Sequence, residues 1–208
     1  MKIYFDTEFT GLKKDTTLVS IGLITEEGET FYAELTDYDK SYKDEWFVKN
    51  VLDHLLLDEE KNRRKKKSEI EVYTPYEERK IADKTVRGTK NEVSFELYRW
   101  LKSFVTVQLV SDVCHYDMVL FIDLFGGAFD LLPSITPACH DINQDIAEFC
   151  KITEREAFDK NREKFLLENR VQLPKGKKHN SLYDAKVIKL IDEVIRHGKV
   201  NDINKVFF

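Results

Sequence analysis

This sequence of 208 residues has few cysteines, no long apolar run and no large excess of charge of one sign. Its 3 cysteines include no CxxC pair, which argues against a disulfide framework and predicts free thiols. No apolar run approaches the ~20 residues of a membrane span, and "MKIYFDTEF" has too few apolar residues for a signal peptide. We therefore expect a soluble, cytoplasmic protein.

The net charge of −5 argues against a protein coated with nucleic acid over its whole surface. Local basic segments, "KNRRKKK" (61–67) and "KGKKH" (175–179), leave a smaller nucleic-acid site open. The first of these is also typical of a solvated loop. With 42% hydrophobic residues the chain can form a core, and its length fits one domain.

The first part of the chain predicts a sheet. Residues 2–5, 17–24 and 30–35 are apolar, with β-branched and aromatic side chains, and Glu27-Gly28 marks a turn. We expect a three-stranded antiparallel meander.

Helices follow. Asp44 is the predicted N-cap of an amphipathic helix that places six apolar residues at helical spacing, namely Phe47, Val48, Val51, Leu52, Leu55 and Leu56. Residues 58–92 are charged and interrupted by proline and glycine, which predicts an insertion or a mobile excursion from the core. The rest predicts a helix at 94–104 capped by Ser94, a strand at 106–111, and helices at 116–125, 141–151, 153–170 and 181–197. The fold class is α/β, with helices packed on a mixed sheet.

Carboxylates stand where apolar residues are expected. Asp6 and Glu8 share one face of the first strand, because residues two apart on a strand point the same way. Asp117 and Asp184 lie on apolar helix faces, although each could also be an acid favoured at a helix N-terminus. If the four carboxylates converge, divalent cations would relieve their repulsion.

His179 precedes Asp184 by five residues, in a loop. A neutral imidazole can accept a proton from water near pH 7, although a lone exposed histidine is more often an ordinary surface residue.

Three motifs in this order resemble those of DEDDh 3′-5′ exonucleases, which have a ribonuclease H-like fold. They are "FDTEFTGL" with Asp6 and Glu8, "HYDMVLF" with Asp117, and "HNSLYDA" with His179 and Asp184. "LVSIGLI", "TFYAEL" and "EWFVKNVLDHL" are similar to the ribonuclease AS branch of exoribonucleases. The resemblance covers most of 1–57 and 94–197, within a domain of 1–197 that contains the insertion at 58–92 and precedes a tail at 198–208.

The resemblance implies a 3′-5′ exonuclease that hydrolyses phosphodiester bonds at single-stranded 3′ ends, and it favours RNA over DNA as the substrate. The four carboxylates would hold two Mg²⁺ or Mn²⁺ ions, and His179 would be the general base. Phe9 would stack on the terminal nucleotide, Thr10 would hydrogen-bond to it, and His115 and Tyr116 of the second motif would also contact substrate. A homodimer is a further implication.

Two other functions remain open at this stage. A DNA 3′-5′ exonuclease of the same fold is one, since no residue is an evident reader of the 2′-hydroxyl. A non-catalytic nucleic-acid-binding protein that uses "KNRRKKK" is the other.

Overall fold

The structure is a computed structural model that describes residues 1–57 and 83–198. Within these ranges six strands form one sheet in the order β4-β3-β2-β1-β5-β6. The strands are β1 (Lys2–Phe9), β2 (Leu18–Thr25), β3 (Thr30–Leu35), β4 (Lys84–Gly88), β5 (Gln108–Ser111) and β6 (His140–Asp141). The helices are α1 (Glu45–Asn50), α2 (Lys90–Leu101), α3 (Cys114–Leu124), α4 (Ile142–Cys150), α5 (Glu154–Phe158), α6 (Arg162–Glu168) and α7 (Ser181–His197).

The sheet is mixed, as predicted. β1, β2 and β3 form the expected antiparallel meander, whereas β5 runs parallel to β1, β4 parallel to β3 and β6 parallel to β5. The first strand is longer than its apolar run, since β1 extends to Phe9. Asp6 and Glu8 therefore lie within a paired strand, opposite Gly22 and Ser20 of β2.

The predicted bounds of the insertion, 58–92, were wrong at the C-terminal end. Residues 58–82 of it lie outside the described residues, as do residues 199–208 of the predicted tail. Residues 84–88, however, form the edge strand β4, which the charged sequence "KTVRG" concealed. The next helix also begins earlier than predicted, because Thr89 and Glu92 form a capping box there in place of Ser94.

Two other helices differ from their predictions. Asp44 caps α1 as expected, but α1 ends at Asn50 and a 3-10 turn follows at Leu52–His54, so that Leu56 is 54% exposed. The helix predicted at 153–170 is divided into α5 and α6, because the Asn161 side chain accepts a hydrogen bond from the main chain of Lys164 and starts a new helix.

Two cores cover the two faces of the sheet. Alternating residues of β1 separate them, since Phe5 packs with Leu97 and Phe121 on one face whereas Tyr4 packs with Ile188 and Ile191 on the other. The cysteines are free, as predicted, and Cys114 and Cys139 have sulfur atoms 3.2 Å apart. Among the described residues, no helix is both long and apolar enough to cross a membrane.

Helix α7 lies very close to β2 at one glycine. A Cβ on Gly22 would stand 2.3 Å from the main-chain nitrogen of Leu182, in the first turn of α7. Beside it, the hydroxyls of Ser20 and Ser181 are 3.0 Å apart. Because Gly22 pairs with Asp6, this contact brings the start of α7 to the acidic part of β1.

The other end of α7 is fastened to β1 by a buried carboxylate. Asp192 is 2% exposed, accepts a hydrogen bond from the Tyr4 hydroxyl and forms ion pairs with Lys2 at 3.0 Å and Arg196 at 2.8 Å. Helix α7 is thus fixed along the strand that carries Asp6 and Glu8.

We predict that Gly22→Ala destabilises the protein by about 1–3 kcal/mol and lowers activity further than the loss of folded protein explains. The methyl group would meet main-chain atoms, which cannot move aside as a side chain can. Thermal unfolding would measure the first effect. The rate of the hydrolysis that the sequence resemblance implies, at a temperature where both proteins are folded, would measure the second. Gly127→Ala is the control, because its backbone is extended and its nearest neighbour is a side-chain oxygen of Asp130. Equal stability of the Gly22→Ala variant and the parent would contradict the prediction.

Candidate active site

Six side chains form two adjoining groups at one end of the sheet. Asp6, Asp112 and Asp117 each place a carboxylate oxygen within 4.8 Å of the other two. Glu8, His179 and Asp184 likewise offer ligand atoms within 4.8 Å of one another. The structure therefore brings together all five residues that the sequence predicted as catalytic, and adds Asp112.

Asp117 is held by hydrogen bonds from two elements. It is 1% exposed, and its Oδ1 accepts from the main-chain nitrogen of Thr7 at 3.2 Å and from the Thr7 hydroxyl at 2.5 Å. Its other oxygen accepts from the Ser111 hydroxyl. These bonds link α3 to β1 and to the end of β5, and thereby orient the carboxylate.

His179 sits in a strained loop directly before α7. Its backbone has a φ of 63°, in the left-handed region that is uncommon for residues other than glycine. In this conformation its main-chain nitrogen donates to Oδ2 of Asp184 at 2.7 Å. The strain thus accompanies a contact between two candidate catalytic residues.

The region of α1 supports this loop from outside. The Trp46 ring lies 4.9 Å from the His179 ring, edge to face, and Nδ1 of His54 is 2.7 Å from the carbonyl oxygen of Lys178. Asn180, which caps α7, also donates to the carbonyl of His54 at 3.0 Å. The imidazole of His179 is therefore placed by contacts from a separate element.

Burial raises the pKa of every carboxyl that the sequence predicted. For Asp6 the pKa rises well above its ordinary value, first because of burial and then because of the charges of Asp117, Asp184 and Glu8. Burial and the charges of Asp184 and Asp117 do the same to the pKa of Glu8, which Lys178 partly offsets. The carboxyls therefore tend to retain protons when nothing positive lies between them.

Burial also raises the pKa of Asp117 and Asp184 to about 7, despite opposing hydrogen bonds from Ser111, Thr7 and His179. The pKa of His179 is lowered by burial, then by the charges of Lys178 and His54. A histidine with a lowered pKa is neutral at pH 7 and can accept a proton.

Both groups open into a cavity of about 510 Å³. Its lining includes His179 and Lys178 and the residues from Phe158, at the end of α5, to Glu163, in the first turn of α6. Its size is within the range of small-molecule sites, and it is large enough for a terminal nucleotide.

The predicted substrate-binding residues lie in different places. Phe9 lines the cavity and stacks on Tyr116, with ring centroids 5.1 Å apart and planes inclined by 14°. His115 is exposed and, with Tyr116, borders a neighbouring surface depression that also contains Lys13 and Lys14.

Thr10 does not reach the cavity through its side chain. Thr10 is fully buried. Its hydroxyl accepts a hydrogen bond from the main-chain nitrogen of Thr17 at 2.9 Å, and the same hydroxyl lies 3.4 Å from the hydroxyl of Thr16. The turn between β1 and β2 uses this hydroxyl, so the predicted hydrogen bond from Thr10 to a nucleotide lacks structural support.

Sequence reasoning missed Asp112, the ion pair that Arg162 forms with it at 3.0 Å, and the contact of Trp46 with His179. Asp112 follows the apolar strand "QLVS" directly, and a carboxylate after a buried strand is the signal that could have identified it. Arg162 and Trp46 reach the site from distant elements, and no local pattern marks them.

A divalent cation fits these donors. Oδ2 of Asp6 is buried and has no hydrogen-bond partner among the described residues. An unpartnered buried carboxylate oxygen is costly, and a cation would satisfy it. Oxygen ligands from several carboxylates are those that Mg²⁺ and Mn²⁺ prefer.

Comparison with protein-family models matches residues 1–195 to one family, described as the 3'-5' exoribonuclease Rv2179c-like domain. Comparison with curated protein sequences found no significant match. The family match spans the segments that carry all six clustered side chains.

Solved structures share the fold. The nuclease domain of 3'hExo, a DEDDh family member bound to rAMP, is 14% identical with a TM-score of 0.60, and the match covers 95% of this chain and 92% of that one. A 3'-exonuclease with a histone mRNA stem-loop is 14% identical with a TM-score of 0.61, over 95% of this chain and 64% of that one. S. pombe Pop2p, with bound Mg²⁺ and Mn²⁺, is 15% identical with a TM-score of 0.53, over 95% of this chain and 83% of that one. The predicted ribonuclease H-like fold is confirmed.

We predict that the metal-free protein loses stability as pH rises from about 5 to 8, and that Asp184→Asn reduces this loss. The unfolded Asp184 carboxyl ionises near its ordinary pKa of 3.8, whereas the folded one retains its proton up to about 7. Between these values the folded state binds more protons, so its stability falls as pH rises. The variant lacks this group, and its melting temperature should fall by about 5 °C less over the same interval.

Thermal melts in the presence of EDTA would measure this difference, with Glu148→Gln, on the exposed face of α4, as control. Added Mn²⁺ should stabilise the parent most at pH 8, where the carboxyls are ionised. Parallel melting curves for the parent and Asp184→Asn would contradict the prediction.

Proposed function

The chain belongs to the 3'-5' exoribonuclease Rv2179c-like family, and we propose that it removes nucleotides from single-stranded RNA 3′ ends with the help of two divalent cations. One observation carries this proposal. Two groups of side chains line one cavity that can receive a nucleotide, and within each group the ligand atoms lie within 4.8 Å of one another.

The two groups divide the binding of cations between them. Asp6 and Asp117 would hold one ion, and Glu8 and Asp184 the other. When bound, Mg²⁺ or Mn²⁺ would polarise the phosphodiester and stabilise the charge that develops on the attacking and leaving oxygens. The raised pKa values of the carboxyls agree with this assignment, because a bound cation would favour their ionised forms.

His179 would act as the general base. Its lowered pKa keeps Nδ1 or Nε2 free to accept the proton of an attacking water at pH 7. Its main-chain bond to Asp184 and its contact with Trp46 hold the ring beside the carboxylates. Both contacts support positioning of the proton acceptor next to the scissile bond.

Phe9 would receive the terminal base. Tyr116 supports the Phe9 ring by stacking on it, and Phe9 lines the cavity that would receive the nucleotide. Stacking of a base on an aromatic ring contributes roughly 1–3 kcal/mol to the binding free energy, whichever base it is. His115 and Tyr116, beside Lys13 and Lys14, would follow the next part of the strand.

RNA is the proposed substrate because of the family, and the domain organisation is part of the same proposal. We propose one catalytic domain over residues 1–197, with the insertion confined to 58–82 because 84–88 form β4. Homodimer formation remains a prediction.

Digestion of 5′-labelled poly(A), poly(U), mixed RNA and single-stranded DNA, with Mg²⁺ or Mn²⁺, would test this function. We expect a ladder that shortens from the 3′ end on RNA, 5′-mononucleotides as products, no reaction in EDTA, and none with Asp184→Asn. Internal fragments would contradict the exonuclease assignment. Faster digestion of DNA than of RNA would favour the DNA exonuclease.

We predict that His179→Ala lowers kcat by roughly 10²–10⁴-fold at pH 7, as loss of a general base does. The affinity of this variant for Mn²⁺ should be close to that of the parent, since the carboxylates remain. His197→Ala, at the exposed end of α7, is the control and should retain full activity. Loss of Mn²⁺ binding together with activity would instead make His179 a metal ligand, and an unchanged rate would exclude both roles.

A further inference from the structure

Asp112 is a fifth carboxylate of the site, and it belongs to none of the three motifs. One of its oxygens lies within 4.8 Å of carboxylate oxygens of Asp6 and Asp117. It lines the same cavity, at the turn between β5 and α3. A fifth negative charge here adds to the repulsion that the other four already produce.

Asp112 also forms an ion pair with a cationic side chain. Nε of Arg162 lies 3.0 Å from its Oδ2, and the two side chains are only 14% and 17% exposed. A pair so shielded from water interacts more strongly than a surface ion pair.

Arg162 is itself fixed in place by three other groups. Its Nη1 donates to the carbonyl oxygens of Ala157 at 2.6 Å and Lys160 at 3.0 Å, and its Nη2 donates to the side chain of Asn143. Asn143 in turn donates to the main-chain carbonyl of Asp112 at 2.7 Å. The guanidinium therefore cannot turn away from Asp112 without breaking several bonds.

We propose that the Asp112–Arg162 pair sets the affinity of the adjacent Asp6 and Asp117 for a divalent cation. This inference rests on the proposed function, because it concerns the cation that those residues would hold. Asp112 attracts the cation and Arg162 opposes it, each through charge across a short distance of poorly hydrated protein. With both present, the pair adds little net charge to the site, and the four motif carboxylates balance two divalent cations.

The alternative is that the pair is only a structural brace between the β5–α3 turn and the cavity wall. The two ideas differ in the sign of their effects. If charge matters, removing Asp112 and removing Arg162 must change cation affinity in opposite directions. If the pair is a brace, removing either residue loosens the same contact, and both changes must weaken binding.

Isothermal titration of the metal-free protein with Mn²⁺ alone, without substrate, would test this. We expect Asp112→Asn to weaken binding by about three- to tenfold and Arg162→Gln to strengthen it by a similar factor, as one added or removed charge near a divalent ion predicts. The double variant should return to within about threefold of the parent. A shift of the same sign in both single variants, or no shift in either, would overturn the proposal.

A second variant and a distant ion pair complete the test. If Arg162→Gln fails to fold, Arg162→Lys retains the charge with fewer hydrogen bonds, and its Mn²⁺ affinity should stay near that of the parent. Weakening by Arg162→Lys as large as that by Asp112→Asn would favour the brace. Glu96→Gln is the matched control, because its 2.9 Å pair with Lys84 lies on α2 and β4, away from the cavity lining.

The failure of this inference is distinguishable from failure of the proposed function. If the parent protein binds no Mn²⁺, the two-cation site itself is wrong. If the parent binds Mn²⁺ and digests RNA but the variants do not shift its affinity in opposite directions, only the role of the Asp112–Arg162 pair is wrong.

Discussion

The close approach of α7 to β2 is the contact on which the rest of the site depends. Gly22 has no Cβ, so the first turn of α7 can lie against the strand next to β1. That turn carries Asp184 and follows His179, and β1 carries Asp6 and Glu8. Residues about 170 positions apart in sequence thereby meet at one cavity. A larger residue at Gly22 would separate the two halves of the site.

This packing has an electrostatic cost. Several carboxylates are brought into a poorly hydrated space, and burial together with their mutual repulsion raises the pKa of each motif acid. Hydrogen bonds relieve part of this for Asp117 and Asp184, but one oxygen of Asp6 has no partner among the described residues. Divalent cations would relieve this repulsion, and the carboxylate oxygens present are ligands that such cations prefer. Asp112 forms an ion pair with Arg162, which supplies it with a counter-charge.

Sequence patterns predicted elements with strong local signals and failed where the signals conflicted. The meander and α7 were predicted well, because their apolar periodicity and caps agree. Strand β4 was missed because an edge strand can be charged on its exposed face, and "KTVRG" resembles the segment before it. The break between α5 and α6 was missed because Asn161 was read as one more helical residue, although its side chain caps a new helix.

The sequence by itself determined the family, the fold class and the five motif residues, because their types and order are local properties of the chain. Only the tertiary structure decided which of them lie within 4.8 Å of one another, that Asp112 joins Asp6 and Asp117, and that the Thr10 hydroxyl bonds within a turn. It also placed Trp46 against His179 and Arg162 against Asp112. The physical reason is that these contacts depend on how separate elements pack across the sheet. The spacing of residues along one strand or helix does not indicate which residue of another element will contact them.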